Sequence, residues 1–385
     1  MSKSLLIFGG NGFMGAATSR LLISKGHNLT LVSRGSWKFD TAETVKQYVR
    51  HIQCDRYSAM QAEQLKKTLE NETFDIVLDF SAYNARAVEP FYNWLVPKVK
   101  EFYLYISSDS VYEVCQLASG PSQESDSVRP QLEEDRIRLN KADSYGHGKL
   151  EVEEYIASQN PGIPYIFLRL PDVIGPRDGT GRFWKYIIWL TYAESLKFPV
   201  PVPVHIRRLR TSYVYVDDVA SLISNLVDQP RLPPAVLNSA YNLAFSDPPK
   251  LLKEVLADLA FAAGVLKSSQ PDNGYRTESA FEIIQETDGL YFLPSVTRGS
   301  LDISRAVEVL NWSPTFWATA VKETVSFYKT AVYRFPELYA KTFAELVEDI
   351  SRDFSVKQQA EVNNIKAEIQ KMINTASTVT GKQEL

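Results

Sequence analysis

Tyrosine, lysine and serine side chains that could together transfer a proton occur near the middle of the chain. Tyr145 and Lys149 are four residues apart in a segment predicted to be helical, so both side chains share one helix face. A tyrosine phenol with a pKa of about 10 is a weak base at neutral pH, and a neighbouring ammonium group favours the phenolate. Tyr145 is the only tyrosine with a lysine four positions later. The pair is therefore suited to general acid and base chemistry.

A hydroxyl-rich segment precedes this pair. The residues from Ser107 to Tyr112 read Ser-Ser-Asp-Ser-Val-Tyr and follow a predicted strand. Ligands of open α/β sheets bind at the carboxyl edge of the strands, which is where this segment must lie. A hydroxyl group at that edge can polarise the substrate oxygen on which Tyr145 acts.

A glycine-rich turn, Gly9-Gly10-Asn11-Gly12-Phe13-Met14-Gly15, follows the first predicted strand and begins a helix. Gly9 permits a tight turn, Gly12 lets the backbone approach a pyrophosphate, and Gly15 lets the helix pack against the strand. The N–H groups at the start of the helix can then bind the anion. This position between strand and helix predicts dinucleotide binding rather than a purely structural turn.

The ends of the next two strands bear on the choice of dinucleotide. The second strand is followed by Arg34, and no acidic residue that could bind a ribose 2′-hydroxyl occurs before Asp40. A guanidinium group there can pair with a 2′-phosphate, which favours NADP over NAD, although an ordinary surface arginine is the alternative. Asp55, after the third strand, could accept a hydrogen bond from the adenine amino group or simply form a turn.

Alternating strands and helices position these residues. Short apolar runs separated by helical segments predict βαβ units and a doubly wound, Rossmann-type parallel sheet in an α/β fold. The predicted strands are Ser4–Phe8, Leu29–Ser33, His51–Cys54, Asp75–Phe80, Phe102–Ser107 and Tyr165–Leu170. The first helix is predicted over Ala16–Lys25, and a second begins near Tyr145 after a polar stretch, 115–144, that is expected to be a long loop.

The remaining chain is predicted to form a smaller substrate-binding region and a helical end. We expect a dinucleotide-binding domain over 1–170 with a return segment near 205–245, and a mixed substrate-binding region over 171–330. Beyond it, apolar residues at intervals of three and four predict C-terminal amphipathic helices over 331–385. Their apolar faces are expected to pack on the rest of the chain or on a second copy in a homodimer.

Composition excludes several classes of function. The chain has 42 basic and 46 acidic residues and a net charge of −4, which argues against general binding to nucleic acid. Its 2 cysteines and 4 histidines lack the spacing of a metal site or a disulfide framework, so no metal is expected. No stretch is long and apolar enough for a membrane span. A cytoplasmic protein is therefore expected.

Six motifs in order resemble those of the extended or atypical short-chain dehydrogenase/reductases, specifically the NAD-dependent epimerase/dehydratase family. The motifs are GGNGFMG, SSDSVY, YGHGK, LRLP followed by Gly175-Pro176, YVYVDDVA and LNWSPT. The resemblance covers most of residues 4–330. It implies that Tyr145 is the general acid and base, that Lys149 binds the nicotinamide ribose and lowers the pKa of Tyr145, and that Ser108 completes a triad. Asp109 takes the position of a dehydratase general acid.

The resemblance also implies which residues bind cofactor and substrate. The cofactor, NADP or NAD, is expected to contact Gly9, Gly12, Phe13, Met14, Gly15, Arg34, Asp55, Ser81, Tyr145, Lys149 and Pro171. A phosphorylated or nucleotide-linked substrate is expected to contact Arg177, Arg182 and Arg210, because guanidinium groups match a diphosphate, although a solvated basic face is the alternative. The chain departs from the family at Phe8, where a threonine is usual, and at Ser110, which replaces the glutamate of true dehydratases.

Two classes of function follow. The first is an NAD(P)-dependent epimerase/dehydratase-like or reductase enzyme that transfers hydride to or from a small-molecule substrate, a nucleotide-linked sugar. The second is a regulatory or RNA-binding protein of the same fold without turnover, which similarity to the chloroplast stem-loop-binding branch implies. The acidic composition and the complete set of Ser108, Tyr145 and Lys149 favour the enzyme.

Overall fold

The structure is a computed structural model that describes residues 2–266 and 283–380. Its strands are β1 Ser4–Phe8, β2 Asn28–Ser33, β3 Arg50–Gln53, β4 Phe74–Asp79, β5 Val99–Ser108, β6 Tyr165–Leu170, β7 Asp172–Ile174, β8 Val200–Pro201, β9 Arg210–Thr211, β10 Tyr213–Tyr215, β11 Ser239–Asn242, β12 Lys250–Leu251 and β13 Ile284–Gln285.

The helices alternate with these strands in the first half of the chain. They are α1 Phe13–Ser24, α2 Thr41–Thr44, α3 Ala59–Thr68, α4 Glu89–Leu95, α5 Glu133–Ala142, α6 Ser144–Ser158, α7 Arg182–Leu196, α8 Val216–Asp228, α9 Leu252–Ala263, α10 Ser304–Leu310, α11 Trp317–Arg334, α12 Pro336–Ile350 and α13 Val356–Thr380. A 3-10 turn, Asp109–Val114, follows β5 and is called the 109–114 turn below.

Contacts divide the chain into two compact units. Unit 1 comprises Met1–Val173, Thr211–Pro249 and Ser295–Thr315, and unit 2 comprises Ile174–Arg210, Lys250–Pro294 and Phe316–Leu385. The return segment of unit 1 therefore includes a second stretch, near residue 300, that the sequence did not indicate. Residues of the predicted region 171–330 are distributed over both units.

Unit 1 contains a seven-stranded sheet in the order β11-β6-β5-β4-β1-β2-β3. Every pair is parallel, as in the register that places Leu5 opposite both Leu29 and Ile76. Its central strands are apolar on both faces because helices cover both, which is the reason for their continuous hydrophobic sequences. The predicted Rossmann-type fold is confirmed. The strand order reverses between β1 and β4, and such a switch point is where open α/β sheets form a ligand crevice.

The polar stretch 115–144 is not a continuous loop, because α5 lies within it. The prediction missed α5 since none of its residues is buried and it therefore has no apolar stripe. Acidic residues in its first turn and Lys141 in its last turn suit the helix dipole.

Unit 2 packs its helices around large aromatic side chains. Trp184 of α7 stacks on Tyr328 of α11 with ring centroids 5.1 Å apart. The predicted C-terminal amphipathic helices are confirmed as α12 and α13, whose apolar residues such as Phe343 and Val362 are buried. Phe343 contacts Tyr192 of α7 at 5.7 Å between ring centroids. Among the described residues, none of the helices combines the length and the apolar character that crossing a bilayer requires.

Candidate active site

The glycine turn has the conformation that its sequence predicts. Gly9 has a φ of +76°, in the region that favours glycine, and its carbonyl accepts a hydrogen bond of 3.0 Å from the N–H of Gly12. A Cβ atom on Gly15 would lie 2.2 Å from the Gly9 oxygen, so the close approach of α1 excludes any other residue there. Phe13 and Met14 form a first helical turn without acidic residues, next to the exposed Gly12. This turn fits a dinucleotide pyrophosphate.

Arg34 and Asp55 lie at the same edge of the sheet, after β2 and near the end of β3. Arg34 is exposed, and its backbone carbonyl accepts a hydrogen bond of 3.1 Å from the side chain of Gln53. The Asp55 carboxylate accepts the N–H of Tyr57 at 3.1 Å, which is the turn-forming role that short polar residues often have. An adenine contact at Asp55 and a 2′-phosphate contact at Arg34 stay predictions.

The loop after β4 brings Ser81 against the glycine turn. Asp79 Oδ1 accepts the N–H groups of both Ser81 and Ala82 at 3.0 Å, which fixes the course of the loop. A Cβ atom on Gly9 would lie 2.9 Å from Ser81 Cβ. The predicted cofactor residue Ser81 is thus next to Gly9, whereas Pro171 is buried at the end of β6.

Lys149 and Tyr145 share one face of α6, as their spacing predicts. Lys149 is only 3% exposed, and its Nζ atom donates to the carbonyls of Ala82 at 3.0 Å and Ile106 at 2.8 Å. Burial lowers the pKa of Lys149 to about 8 because the ammonium group loses hydration. Its Nζ lies 5.7 Å from the ring centroid of Tyr145, whose side chain is 45% exposed and open to a ligand.

Two glycines allow α6 to enter this position. A Cβ atom on Gly146 would lie 2.1 Å from the Ser110 carbonyl oxygen, and one on Gly148 would lie 2.2 Å from that of Tyr83. The side chain of Asp143 caps the helix by accepting the N–H of Gly146 at 2.8 Å. These two glycines were not among the predicted site residues. Glycine is unfavourable within a helix, so two of them in one helical turn are a sequence signal of close packing.

Ser108 and Asp109 are buried where β5 meets the 109–114 turn. Ser108 Oγ accepts the N–H of Ser110 at 3.2 Å and donates to Asp109 Oδ1 at 3.3 Å. The second carboxyl oxygen of Asp109 is buried without a hydrogen-bond partner in the described part of the chain. Burial and the charge of Asp172 raise the pKa of Asp109 well above its usual range, which favours the neutral form of this carboxyl group.

Residues 295–302, called the 295–302 segment below, lie far along the chain from Asp109 but bind the carboxylates of Asp172 and Glu113 near it. Ser295 donates to Asp172 from its N–H at 2.8 Å and from its hydroxyl at 2.5 Å. The N–H groups of Thr297 and Arg298 donate to the Glu113 carboxylate at 2.9 and 2.8 Å. This segment gives no signal in the sequence because its polar residues show no periodicity.

The three arginines predicted to bind substrate lie in unit 2, where each contacts a neighbour. The guanidinium of Arg177 is 4.9 Å from the ring centroid of Phe327, and Arg182 Nε donates to Thr180 Oγ1 at 3.3 Å. Arg210 binds both carboxylate oxygens of Glu254 at 3.1 Å. Their contact with a diphosphate stays a prediction.

Comparisons with known proteins identify one relative by sequence and several by fold. The chain is 28% identical over 249 residues to the chloroplast stem-loop binding protein of 41 kDa b of Arabidopsis thaliana, a match that spans 61% of this chain and 58% of the length of that relative. Among solved structures, it is similar to dTDP-glucose 4,6-dehydratase from Bacillus anthracis in complex with NAD, with a TM-score of 0.63, 14% identity, and coverage of 88% of this chain and 100% of that one.

A second similar structure is the UDP-glucose 4-epimerase of Thermotoga maritima with UDP-glucose, with a TM-score of 0.60, 19% identity, and coverage of 86% of this chain and 99% of that one. At these identities the likeness establishes the fold. The family model of the NAD dependent epimerase/dehydratase family matches residues 5–244, which include the glycine turn and the Tyr145 helix. The chain therefore belongs to the NAD dependent epimerase/dehydratase family.

Proposed function

We propose that this protein is an NAD(P)-dependent enzyme that oxidises a sugar hydroxyl or reduces the corresponding carbonyl, as an epimerase or a reductase. The observation that carries the proposal is the position of Lys149. Its buried ammonium is bound by the carbonyls of Ala82 and Ile106, beside the open phenol of Tyr145 and at the same sheet edge as the glycine turn. An ammonium in this position can stabilise the phenolate that forms when Tyr145 transfers its proton.

The proposed roles combine the family resemblance with the exposure and contacts of these side chains. Tyr145 takes the hydroxyl proton and returns it, because its phenol is accessible and the ammonium of Lys149 stabilises the phenolate. Ser108 is the hydroxyl that orients the reacting oxygen. The glycine turn would hold the pyrophosphate of the dinucleotide, whose nicotinamide supplies the hydride chemistry when it is bound.

We infer that the cofactor is NADP rather than NAD, and that the substrate is a nucleotide-linked sugar. Arg34 supports the first inference, because an exposed guanidinium after β2 suits a 2′-phosphate. The second is supported by the sugar nucleotides named for the two similar structures and by Arg177, Arg182 and Arg210, of which Arg182 is half-buried at the start of α7.

The experiment titrates the purified chain with NADPH and NADH by fluorescence and then screens UDP-, GDP- and dTDP-sugars for cofactor turnover. Tyr145→Phe should reduce turnover about 10²- to 10⁴-fold, because proton transfer by a positioned side chain contributes about that factor. Cofactor affinity should change little, since the phenyl ring remains. Equal turnover in the variant, or no dinucleotide binding by the wild type, would refute the proposal.

RNA binding without turnover is the second candidate, and the match to a stem-loop binding protein favours it. It predicts an affinity for structured RNA that falls steeply with salt, because phosphate contacts release counterions. Strong RNA binding together with the absence of dinucleotide binding would support this candidate over the enzyme.

A further inference from the structure

A buried ion pair lies at the switch point between β1 and β4, beneath the site. Arg56 Nη1 contacts both carboxylate oxygens of Asp79 at 2.7 Å, and the two side chains are 6% and 0% exposed. Arg56 Nε donates to the carbonyl of Ala87 at 2.8 Å, and its guanidinium lies 4.2 Å from the ring centroid of Phe8. Phe8 replaces the usual threonine of the family, and the cation over its ring gives this departure a structural role.

Stability alone does not explain why this pair is buried. Removing two charges from water is costly, and a well-packed apolar pair of similar volume is often at least as stable. Both carboxylate oxygens of Asp79 instead accept hydrogen bonds that fix the positions of neighbouring groups. Oδ1 accepts the N–H groups of Ser81 and Ala82 at 3.0 Å, and Oδ2 accepts the hydroxyl of Tyr103 at 2.5 Å.

Ser81 and Ala82, whose N–H groups Asp79 accepts, contact different parts of the site. Ser81 packs against the glycine turn, where a Cβ atom on Gly9 would lie 2.9 Å from Ser81 Cβ. The carbonyl of Ala82 accepts the Lys149 ammonium and the hydroxyl of Tyr105, both at 3.0 Å. The loop that Asp79 fixes therefore contacts the glycine turn through Ser81 and Lys149 through Ala82.

We infer that Arg56 and Asp79 are positioning residues that couple the glycine turn to Lys149 through the backbone of Ser81 and Ala82. The inference rests on the proposed function, because the coupling matters for catalysis only if the protein is an enzyme. The coupling itself can be measured without turnover. Neither residue touches a reacting atom. Their role is to hold the Ala82 carbonyl and the local charge in the arrangement that Lys149 requires.

The charged groups that face Lys149 make this coupling measurable. Asp79 and Glu153 favour the ammonium form, whereas burial and the charge of Arg56 oppose it. The rings of Tyr83, Tyr105 and Tyr145 also face the Nζ atom, at 5.3, 4.8 and 5.7 Å from their centroids. Neutralising either partner of the pair should therefore shift the titration of Lys149, and in opposite directions for the two partners.

The test follows the ε-¹³C NMR signal of Lys149 against pH in lysine-labelled protein, with Lys149→Met used only to assign the signal. Asp79→Asn should lower the titration midpoint by about 1 pH unit, and Arg56→Met should raise it by a similar amount. Leu65→Ala, a core substitution in α3, is the control, because it destabilises the unit without changing charge and should leave the midpoint in place. Both pair variants should also weaken NADPH binding about tenfold.

Arg56→Lys serves if Arg56→Met does not fold. It keeps the charge, so the midpoint should stay near the wild-type value, but one ammonium group cannot replace the guanidinium contacts and NADPH binding should still weaken. Shifts of Asp79→Asn and Arg56→Met in the same direction, or no larger than that of Leu65→Ala, would overturn the inference. Absence of dinucleotide binding in the wild type would instead refute the proposed function, while the NMR titration would still decide the coupling.

Discussion

Asp109 is a carboxyl group that is only 5% exposed, directly after the last residue of β5. One of its oxygens contacts Ser108, and the other has no hydrogen-bond partner among the described residues. Such a group is more stable as the neutral acid, since a buried charge without partners is costly. The family resemblance predicts a general acid at this residue, and the structure adds the physical reason why it would keep its proton.

Replacing Asp109 by Asn tests this interpretation through stability. The pKa of Asp109 is raised in the folded state, so its contribution to stability is complete below the usual pKa and is lost as the pH rises toward the raised value. Asp109→Asn has no proton to lose. Its free energy of unfolding should therefore increase relative to that of the wild type from pH 5 to pH 8, measured by urea unfolding at both values. A difference that does not depend on pH would contradict the neutral acid.

The cofactor preference also depends on one residue. Arg34→Asp would place a carboxylate where the ribose 2′-position is expected, which repels a 2′-phosphate and can accept hydrogen bonds from a 2′-hydroxyl. We expect the ratio of NADPH to NADH affinity to fall about tenfold or more, an energy of about 1.4 kcal/mol. Fluorescence titration with both dinucleotides measures it, and Arg86→Asp, another exposed arginine, is the matched control. An unchanged ratio would remove the NADP assignment.

At the scale of elements, α6 determines the site because it lies between the loop after β4 and the 109–114 turn. Gly148 faces the Tyr83 carbonyl and Gly146 faces the Ser110 carbonyl, each too closely for a side chain. Lys149 can reach two carbonyl oxygens only because its helix packs this closely. The arrangement is therefore a property of the helix and its glycines as well as of the catalytic side chains.

Gly148→Ala should displace α6 from the β4 loop. The added methyl group would lie 2.2 Å from the Tyr83 oxygen, and overpacking of this kind costs about 1–3 kcal/mol. We expect lower stability in urea unfolding and weaker NADPH binding, because the contact between Lys149 and Ala82 would lengthen. Ser158→Ala, at the exposed end of the same helix, should change stability by less than about 0.5 kcal/mol. Equal behaviour of the two variants would show that α6 does not need this close approach.

Comparison of the predicted and observed elements shows which parts of the fold can be predicted from the sequence. The predicted strands coincide with β1 to β6 within a few residues, because buried parallel strands are continuous apolar runs. The helix predicted from Ala16 begins three residues earlier, at Phe13, since the glycine turn ends sooner than expected. By contrast, β11 is four residues long and α5 has no buried face, so neither produces a recognisable period.

At the scale of the whole molecule, the sequence indicates the candidate site residues but not the contacts that support them. Tyr145, Lys149 and the glycine turn were found because helix periodicity and strand–turn–helix context are local. The ion pair of Arg56 and Asp79 and the hydrogen bonds to Glu113 join residues that are far apart in the chain. A local sequence pattern cannot predict contacts of this kind, because the partners come together only in the folded protein.

The 295–302 segment has a consequence for how the protein is made. A nascent chain that has left the ribosome as far as β7 already contains Glu113 and Asp172, but not Ser295, Thr297 and Arg298, which donate hydrogen bonds to them. Translation must continue past residue 298 before these hydrogen bonds can form. These contacts at the carboxyl edge of the sheet are therefore completed late in synthesis, after most of the chain that follows β7 has been translated.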